Sequence, residues 1–282
     1  MKCKKCHHSM KLTKKRRTAD HYAWICRRTA HKTTHTSVRQ NSVFSHSKVP
    51  FQKWIEFMYR FSQGLRLRQI DMMQDEIAQS STTLSKMNKK LRDSCVSAMD
   101  RFRHRTGQRI GGRREFVAID ESHFRHKRKY GRGRVAGAWQ RKKWVFGMLA
   151  VRRGKTRKPI LRLVERRSRR HLVPIIQRHV KPGTAIISDE WRAYRVLSNA
   201  GYVHHRVNHS RWFVDQRSGA HTQHIERGWR HYKEHIWRLR GNRTESLLSD
   251  HLSWIEWHEW LGRKHHHGVF GRLLHDVAKM YR

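Results

Sequence analysis

The stretch FVAID, residues 116–120, decides the fold, because it is a short apolar run that ends in an acid. A second run of this kind, TAIISD, covers residues 184–189, and both runs are typical of buried β-strands. The stretch HIERGWRHYKEHIWRLR, 224–240, is amphipathic and carries an acid near its start. We expect acids in these positions to hold cations.

The charge balance points to nucleic acid. The 282 residues include 64 Lys and Arg against 21 Asp and Glu, a formal net charge of +43. A basic surface of this extent favours phosphate backbones and says nothing about fold. The apolar runs are too short for a transmembrane helix, and we expect no secretory signal. Four cysteines, at positions 3, 6, 26 and 95, fit a reducing compartment better than a disulfide framework.

The acids of the three segments are Asp120, Asp189 and Glu226. Two divalent cations that bracket a phosphate need carboxylates on rigid elements. Asp120 would lie on a central strand, Asp189 would end its neighbour, and Glu226 would close the site from a helix. One such Asp taken alone is more often a turn or cap residue. The acids ranked lower are Glu121, Glu190, Asp215, Glu234 and Glu245.

The order of the core elements predicts an α/β fold. Strands are predicted at 114–120, 142–153, 158–167, 184–189 and 202–210, and helices at 168–180, 190–201 and around Glu226. Three strands come first, so the sheet should open as an antiparallel meander. On the last helix, Glu226, Arg230 and Lys233 share a face, and we expect Arg230 and Lys233 to contact DNA phosphates. His209 and His221 could line the site, although a fold-stabilising role is the simpler interpretation.

The N-terminus carries a candidate zinc site. Cys3-x2-Cys6 is followed by Cys26 and His31, a ligand set that suits tetrahedral zinc. Four other histidines compete as fourth ligand: His7, His8, His21 and His35. The alternation before Cys26 predicts a small β-hairpin. The alternative is a set of free thiols in a disordered basic tail.

The middle of the chain is helical. Phe51, Trp54, Ile55, Met58 and Tyr59 have helical spacing within 51–63. A short helix is predicted over 67–77, a turn over 78–81, and a longer helix from 82.

The longer helix would be capped by Ser81 and would bury Leu84, Met87, Leu91, Cys95 and Val96. This pattern resembles a helix-turn-helix, in which the second helix reads a major groove. The candidate DNA-contacting residues on it are Lys86, Asn88, Lys89, Lys90 and Arg92. Plain packing of a helical hairpin is an equal alternative.

Several segments together resemble Merlin-type transposases, eukaryotic relatives of a bacterial insertion-sequence group with the DDE core. The resemblance runs over about 1–262 and is strongest over 116–240. The segments that carry it include VAIDESHF, WVFGMLAV, PGTAIISDEWRAY, GYVHHRVNHS and FVDQRSGAHTQHIERGWRHYK. The family has a Cys where His31 stands in this chain.

The resemblance implies an RNase H-like fold, Mg²⁺ or Mn²⁺ on Asp120, Asp189 and Glu226, and structural Zn²⁺. It implies cut-and-paste transposition on terminal inverted repeats of double-stranded DNA, by a homo-oligomer in the nucleus, or in the nucleoid or cytoplasm of a bacterial source. The expected domains are a zinc-ribbon-like segment (1–40), a helix-turn-helix-like region (41–110), the catalytic domain (111–262) and a basic C-terminal tail (263–282). The rival functions are a non-catalytic, transposase-derived DNA-binding protein and a nuclease on the same fold.

Overall fold

A computed structural model describes residues 1–18, 20–65, 69–124, 143–152, 158–207, 223–238 and 244–281. The chain forms two compact units, Met1–Ser94 with Leu273–Arg282, and Cys95–Arg272. The predicted domain boundaries stay a prediction. Among the described residues, no helix is long and apolar enough to cross a membrane.

The first unit begins with a small antiparallel sheet rather than a two-stranded hairpin. Its strands are β1 (Lys11–Lys14), β2 (Tyr22–Cys26) and β3 (Thr34–Ser37), with β2 in the middle. Ala23, Ile25 and Cys26 of β2 are buried, and Tyr22 is exposed. The central strand therefore ends at a cysteine of the candidate zinc site.

Helices follow in the first unit. They are α1 (Phe51–Ser62), α2 (Gln69–Gln74) and the start of α3 (Ser81–Thr106). The buried face of α1 holds Trp54, Phe57, Met58 and Phe61. Ile55 and Tyr59, which share the helical spacing described above, are exposed. The buried stripe of α1 therefore runs through Phe57 and Phe61 and not through Ile55.

The start of α3 also differs from the prediction. The Ser80 hydroxyl accepts the Thr83 N–H at 3.2 Å, so Ser80 caps the helix and Ser81 is its first residue. Leu84, Met87 and Leu91 are buried, as predicted.

The second unit is built on a mixed sheet flanked by helices. Its strands are β4 (Phe116–Ser122), β5 (Trp144–Val151), β6 (Lys158–Val164), β7 (Ala185–Ser188) and β8 (Val203–Arg206). The order is β6-β5-β4-β7-β8. The first three strands are antiparallel, and β7 and β8 run parallel to β4. The opening meander and the central position of the first strand are thus confirmed.

The helices that follow in the chain are α4 (Arg169–His179), α5 (Gln223–Arg238), α6 (Glu245–Trp257) and α7 (Gly268–Met280). α5 packs on β4 and β5, and α6 packs on β6. The predicted helix 190–201 is only one 3-10 turn, Arg192–Tyr194, followed by other turns. The segment predicted as a basic tail contains α7.

A buried carboxylate ties α6 to the edge strand β6. Glu256 is fully buried and accepts hydrogen bonds from Leu161 N at 2.6 Å, Arg162 Nη1 at 2.6 Å, Arg103 Nη2 at 2.9 Å and Gln108 Nε2 at 2.7 Å. Burial by itself raises the pKa of Glu256, but the charges of Arg162 and Arg103 outweigh it and the pKa is lowered. Glu256 is therefore charged and fully paired.

Replacing this carboxylate tests its role in the fold. Glu256→Ala should lower the free energy of unfolding by about 3–5 kcal/mol, because two arginines lose their buried partner. Glu165→Ala is the control, because Glu165 is exposed and follows β6 directly. Its free energy of unfolding should stay within about 0.5 kcal/mol of wild type. Denaturant unfolding measures both. Equal losses in the two variants would contradict the assignment.

Candidate functional site

The three predicted acids lie on three elements of the second unit. Asp120 is on the central strand β4, Asp189 follows β7 directly, and Glu226 is in the first turn of α5. Parallel pairing of Ala118 with Ile187 puts Asp120 and Asp189 at the same level of neighbouring strands. Because α5 packs on β4 and β5, it brings Glu226 to this sheet.

Electrostatics shows that the three acids are close enough to interact. The pKa of Asp120 is raised to about 6, first by burial and further by the charges of Asp189 and Glu226. Hydrogen bonds from Trp229 and from the Glu121 backbone oppose this rise. A mostly buried carboxylate that two others repel is stabilised by a nearby cation, so the donor set fits hard divalent metal ions.

The acids are grouped more loosely than a closed metal cage. Among the described residues, the group whose ligand atoms all lie within 4.8 Å of one another is the cysteine and histidine cluster of the first unit. Asp189 is oriented by the Trp191 N–H, which donates to Oδ1 at 3.0 Å. The site is therefore an open acidic edge with oriented carboxylates.

A tryptophan and a glycine set the position of Asp120. Trp229 of α5 donates its Nε1–H to Asp120 Oδ2 at 2.9 Å. Its ring lies over Gly147, which is opposite Asp120 in the β4–β5 register. A Cβ at position 147 would lie 2.4 Å from Trp229 Cη2. Only glycine admits the ring at this distance.

The face of α5 agrees with the sequence. Ile225, Trp229 and Ile236 are buried, as predicted, while Glu226 and Arg230 are exposed.

Lys233 of the same helix is half-buried, and its Nζ lies 5.7 Å from the centroid of the Phe124 ring. Burial lowers the pKa of Lys233, and the charge of Asp120 opposes that shift. Lys233 is therefore near the acids, and its contact with DNA stays a prediction.

Glu121, which was ranked low, is a buried member of the site. It accepts a hydrogen bond from the Tyr194 hydroxyl, and burial raises its pKa to about 7. Tyr194 itself is fully buried, and burial raises its pKa well above the usual value. The pattern of the sequence did not indicate this pair, because the two residues are far apart in the chain.

The other candidate acids fall elsewhere. Glu245 begins α6 and is paired with Lys143 at 2.9 Å, and Glu234 is exposed on α5. Glu190 is exposed beside Asp189. Asp215, His209 and His221 lie outside the described residues.

The N-terminal cluster contains the four predicted ligands, Cys3, Cys6, Cys26 and His31. His31 Nε2 lies 3.1 Å from Cys6 Sγ, 3.5 Å from Cys3 Sγ and 3.6 Å from Cys26 Sγ. Its Nδ1 is 2.8 Å from the Lys32 carbonyl oxygen, which fixes the ring. His31, and none of the four competing histidines, therefore completes the group, and the group fits tetrahedral zinc.

The predicted DNA-contacting face of α3 is only partly available. Lys86 is exposed, and Lys89 pairs with Asp93 at 2.5 Å. Lys90 donates to the carbonyl oxygens of Val43 at 2.8 Å and Ser45 at 2.7 Å. Lys90 thus holds the loop before α1.

Two other residues on this face are withdrawn from the surface. Arg92 is buried. Asn88 Oδ1 is buried and has no hydrogen-bond partner among the described residues. Reading of a base by Asn88 would therefore need a change of conformation, and its DNA contact stays a prediction.

The comparisons show that part of the chain is similar to transposases. An uncharacterized transposase-like protein of Haemophilus influenzae is 34% identical over 70 residues, which are 25% of this chain and 55% of that protein. The chain thus spans about half the length of this relative. Residues 108–242 match the model of the ISXO2-like transposase domain, and all three acids lie in this range. The two likenesses support a transposase family.

One solved structure is also similar, at a low level. The crystal structure of a pre-cleavage Mos1 transpososome matches with 9% identity and a TM-score of 0.19, over 68% of this chain and 62% of that chain.

The packing of Trp229 on Gly147 can be tested by stability. Gly147→Ala should lower the free energy of unfolding by about 1–3 kcal/mol, because the new methyl group displaces the ring. Trp229→Phe removes the clashing atoms, so the double variant should lose less than the sum of the two single losses. Denaturant unfolding of the three variants gives the coupling. Additive losses would show that position 147 and Trp229 are independent.

Zinc content tests the N-terminal cluster. The purified full chain should hold about one zinc ion, and Cys6→Ser or His31→Ala should lose it. His35→Ala and Cys95→Ala are matched controls outside the cluster, and both should keep the metal. Elemental analysis measures the content. Full zinc in His31→Ala would show that another group is the fourth ligand.

Proposed function

We propose that the chain is a DDE transposase that cleaves DNA and transfers strands at terminal inverted repeats in a cut-and-paste reaction. The observation that carries the proposal is electrostatic. Asp120, Asp189 and Glu226 come from three parts of the fold, and the charges of Asp189 and Glu226 add to the rise that burial causes in the pKa of the half-buried Asp120. Three acids kept together in a chain of net charge +43 favour a cation site beside a polyanion.

The sheet supports an RNase H-like assignment within this proposal. An antiparallel meander is followed by two parallel strands, and the first strand is central and carries Asp120. The Merlin-type assignment rests on the segments quoted above. The match to the ISXO2-like domain is consistent with it at the level of a transposase.

Asp120, Asp189 and Glu226 would hold Mg²⁺ or Mn²⁺, which activates water and stabilises the charge that develops on the phosphate. Neighbouring residues orient the carboxylates of this site before DNA binds. Trp229 fixes the Asp120 carboxylate, and the Trp191 N–H fixes that of Asp189. Lys233 and Arg230, on the helix that carries Glu226, would bind phosphates that flank the cleaved bond.

The first unit would recognise the transposon ends. The zinc cluster would order its first residues, and the exposed Lys86 on α3 is the best placed of the predicted DNA contacts. Lys89 would join it once released from Asp93. Such an enzyme would act as a homo-oligomer on paired DNA ends, in the nucleus, or at the nucleoid of a bacterial source.

Cleavage of end DNA tests the proposal. Asp120→Asn, Asp189→Asn and Glu226→Gln should each lower Mn²⁺-dependent cleavage of the flanking repeats by more than about a hundredfold, because each removes a charged metal ligand. DNA affinity should stay near wild type. Glu190→Gln, the matched control beside Asp189, should cleave normally. Gel assays of nicked product measure the rate.

The outcomes separate the proposal from its rivals. If one of the acid variants cleaves DNA at the wild-type rate, the replaced residue is not part of the metal site. Tight binding to the repeats without cleavage by wild type would favour a non-catalytic DNA-binding protein. Cleavage without preference for the repeat ends would favour a nuclease on the same fold.

A further inference from the structure

A pocket opens at the same end of the sheet as the acids. It has a volume of about 660 Å³ and lies among the loop after β6, the start of β5 and the turn after β7. In the β4–β5 register, Ser122 pairs with Val145, and Trp144 pairs with Val164 across β5 and β6. The pocket therefore adjoins the carboxyl end of β4, two residues beyond Asp120.

The lining of this pocket combines aromatic rings with positive charge. Two half-buried tryptophans, Trp144 and Trp191, stand among five arginines and a single glutamate. Arg166, Arg169 and Arg192 are exposed at its rim. Nucleotides suit this combination, because a base packs on flat side chains while its phosphate pairs with guanidinium groups.

Arg167 is held between the two tryptophans. Its Cζ lies 4.1 Å from the centroid of the Trp144 ring and 4.9 Å from that of Trp191. The Trp191 Nε1–H donates to the Arg167 carbonyl oxygen at 2.8 Å. The guanidinium is thus fixed before any ligand arrives, which lowers the entropy lost on binding.

The pocket is physically linked to the acidic site. The Trp191 backbone N–H donates to Asp189, so one residue is a wall of the pocket and orients a candidate metal ligand. Arg167 is near enough to Glu121 for its charge to oppose the rise in the pKa of Glu121. A strand that passes the acids would therefore reach the pocket directly.

We propose that this pocket, lined by Trp144, Arg167 and Trp191, binds an unpaired nucleotide of the DNA strand that enters the acidic site. Paired bases are stacked inside a duplex, so a duplex offers the pocket phosphates but no free base faces. An unpaired nucleotide offers both. The inference rests on the proposed function for the identity of the polymer, and it adds a site that recognises local strand separation.

Binding by the full zinc-containing chain, without Mg²⁺ or Mn²⁺, tests the inference. The probes are a single-stranded oligothymidine and a duplex with the same number of phosphates. Arg166→Gln with Arg192→Gln changes the pocket. Arg105→Gln with Arg178→Gln is the matched control, since these two exposed arginines lie at the ends of α3 and α4 away from it.

The pocket variant should lose about tenfold more single-strand affinity than the control, while the two lose similar duplex affinity. Trp144→Leu should lower single-strand affinity about tenfold without changing its salt dependence, because stacking releases no counterions, and Trp144→Phe should keep most of it. Folding of each variant is checked by its unfolding transition, and Trp144→Phe preserves an aromatic side chain if Trp144→Leu fails to fold.

Equal loss of single-strand and duplex affinity in the pocket variant would overturn the inference, because it would show that the pocket arginines contact phosphates without a preference for unpaired nucleotides. Unchanged affinity for both probes would overturn it as well. Failure of wild type to cleave end DNA concerns the proposed function only, since these measurements use binding alone.

Discussion

The hydrogen bond from Trp229 to Asp120 is the contact on which the acidic site depends. It joins the helix that carries Glu226 to the central strand that carries Asp120. It is possible because Gly147 on the neighbouring strand leaves room for the indole ring. A carboxylate that is largely removed from solvent needs donors or a cation, and here Trp229 supplies a donor from the helix beside the Glu121 backbone N–H.

The distribution of charge explains why such a contact is needed. The chain has few acids, and the second unit places several of them in buried positions. Glu256 is neutralised by Arg103 and Arg162 and stabilises the packing of α6 on the sheet. Asp120 and Glu121 instead have raised pKa values, because burial outweighs the hydrogen bonds that Trp229 and Tyr194 donate to them, and neighbouring acids add to the rise. The first arrangement stabilises the fold, and the second leaves repulsion between acids that a bound cation would relieve.

The first unit is stabilised in another way. Its small sheet buries few apolar side chains, and the cluster of Cys3, Cys6 and Cys26 packs with Met10 and Trp24. A metal ion bound to this cluster would supply folding energy that a segment of this size cannot gain from apolar burial alone. Arg39 holds the loop before α1. Its guanidinium pairs with Asp20 and also donates to the carbonyl oxygens of Ser47 and Val49.

The sequence by itself determined the strands of the meander, the parallel strand that ends before Asp189, the helix that carries Glu226, and the four members of the cysteine and histidine cluster. Each depends on local periodicity or on the spacing of ligands, which a chain encodes within a few residues. Other features were decided only by the tertiary structure. They include the rotation of α1 that exposes Ile55, the engagement of Lys90 by loop carbonyls, and the pairing of Glu121 with Tyr194. The contact of Trp229 with Asp120 and the stacking of Arg167 between Trp144 and Trp191 belong to the same group. These contacts join residues far apart in the chain, and local periodicity does not specify which distant polar group each buried side chain will meet.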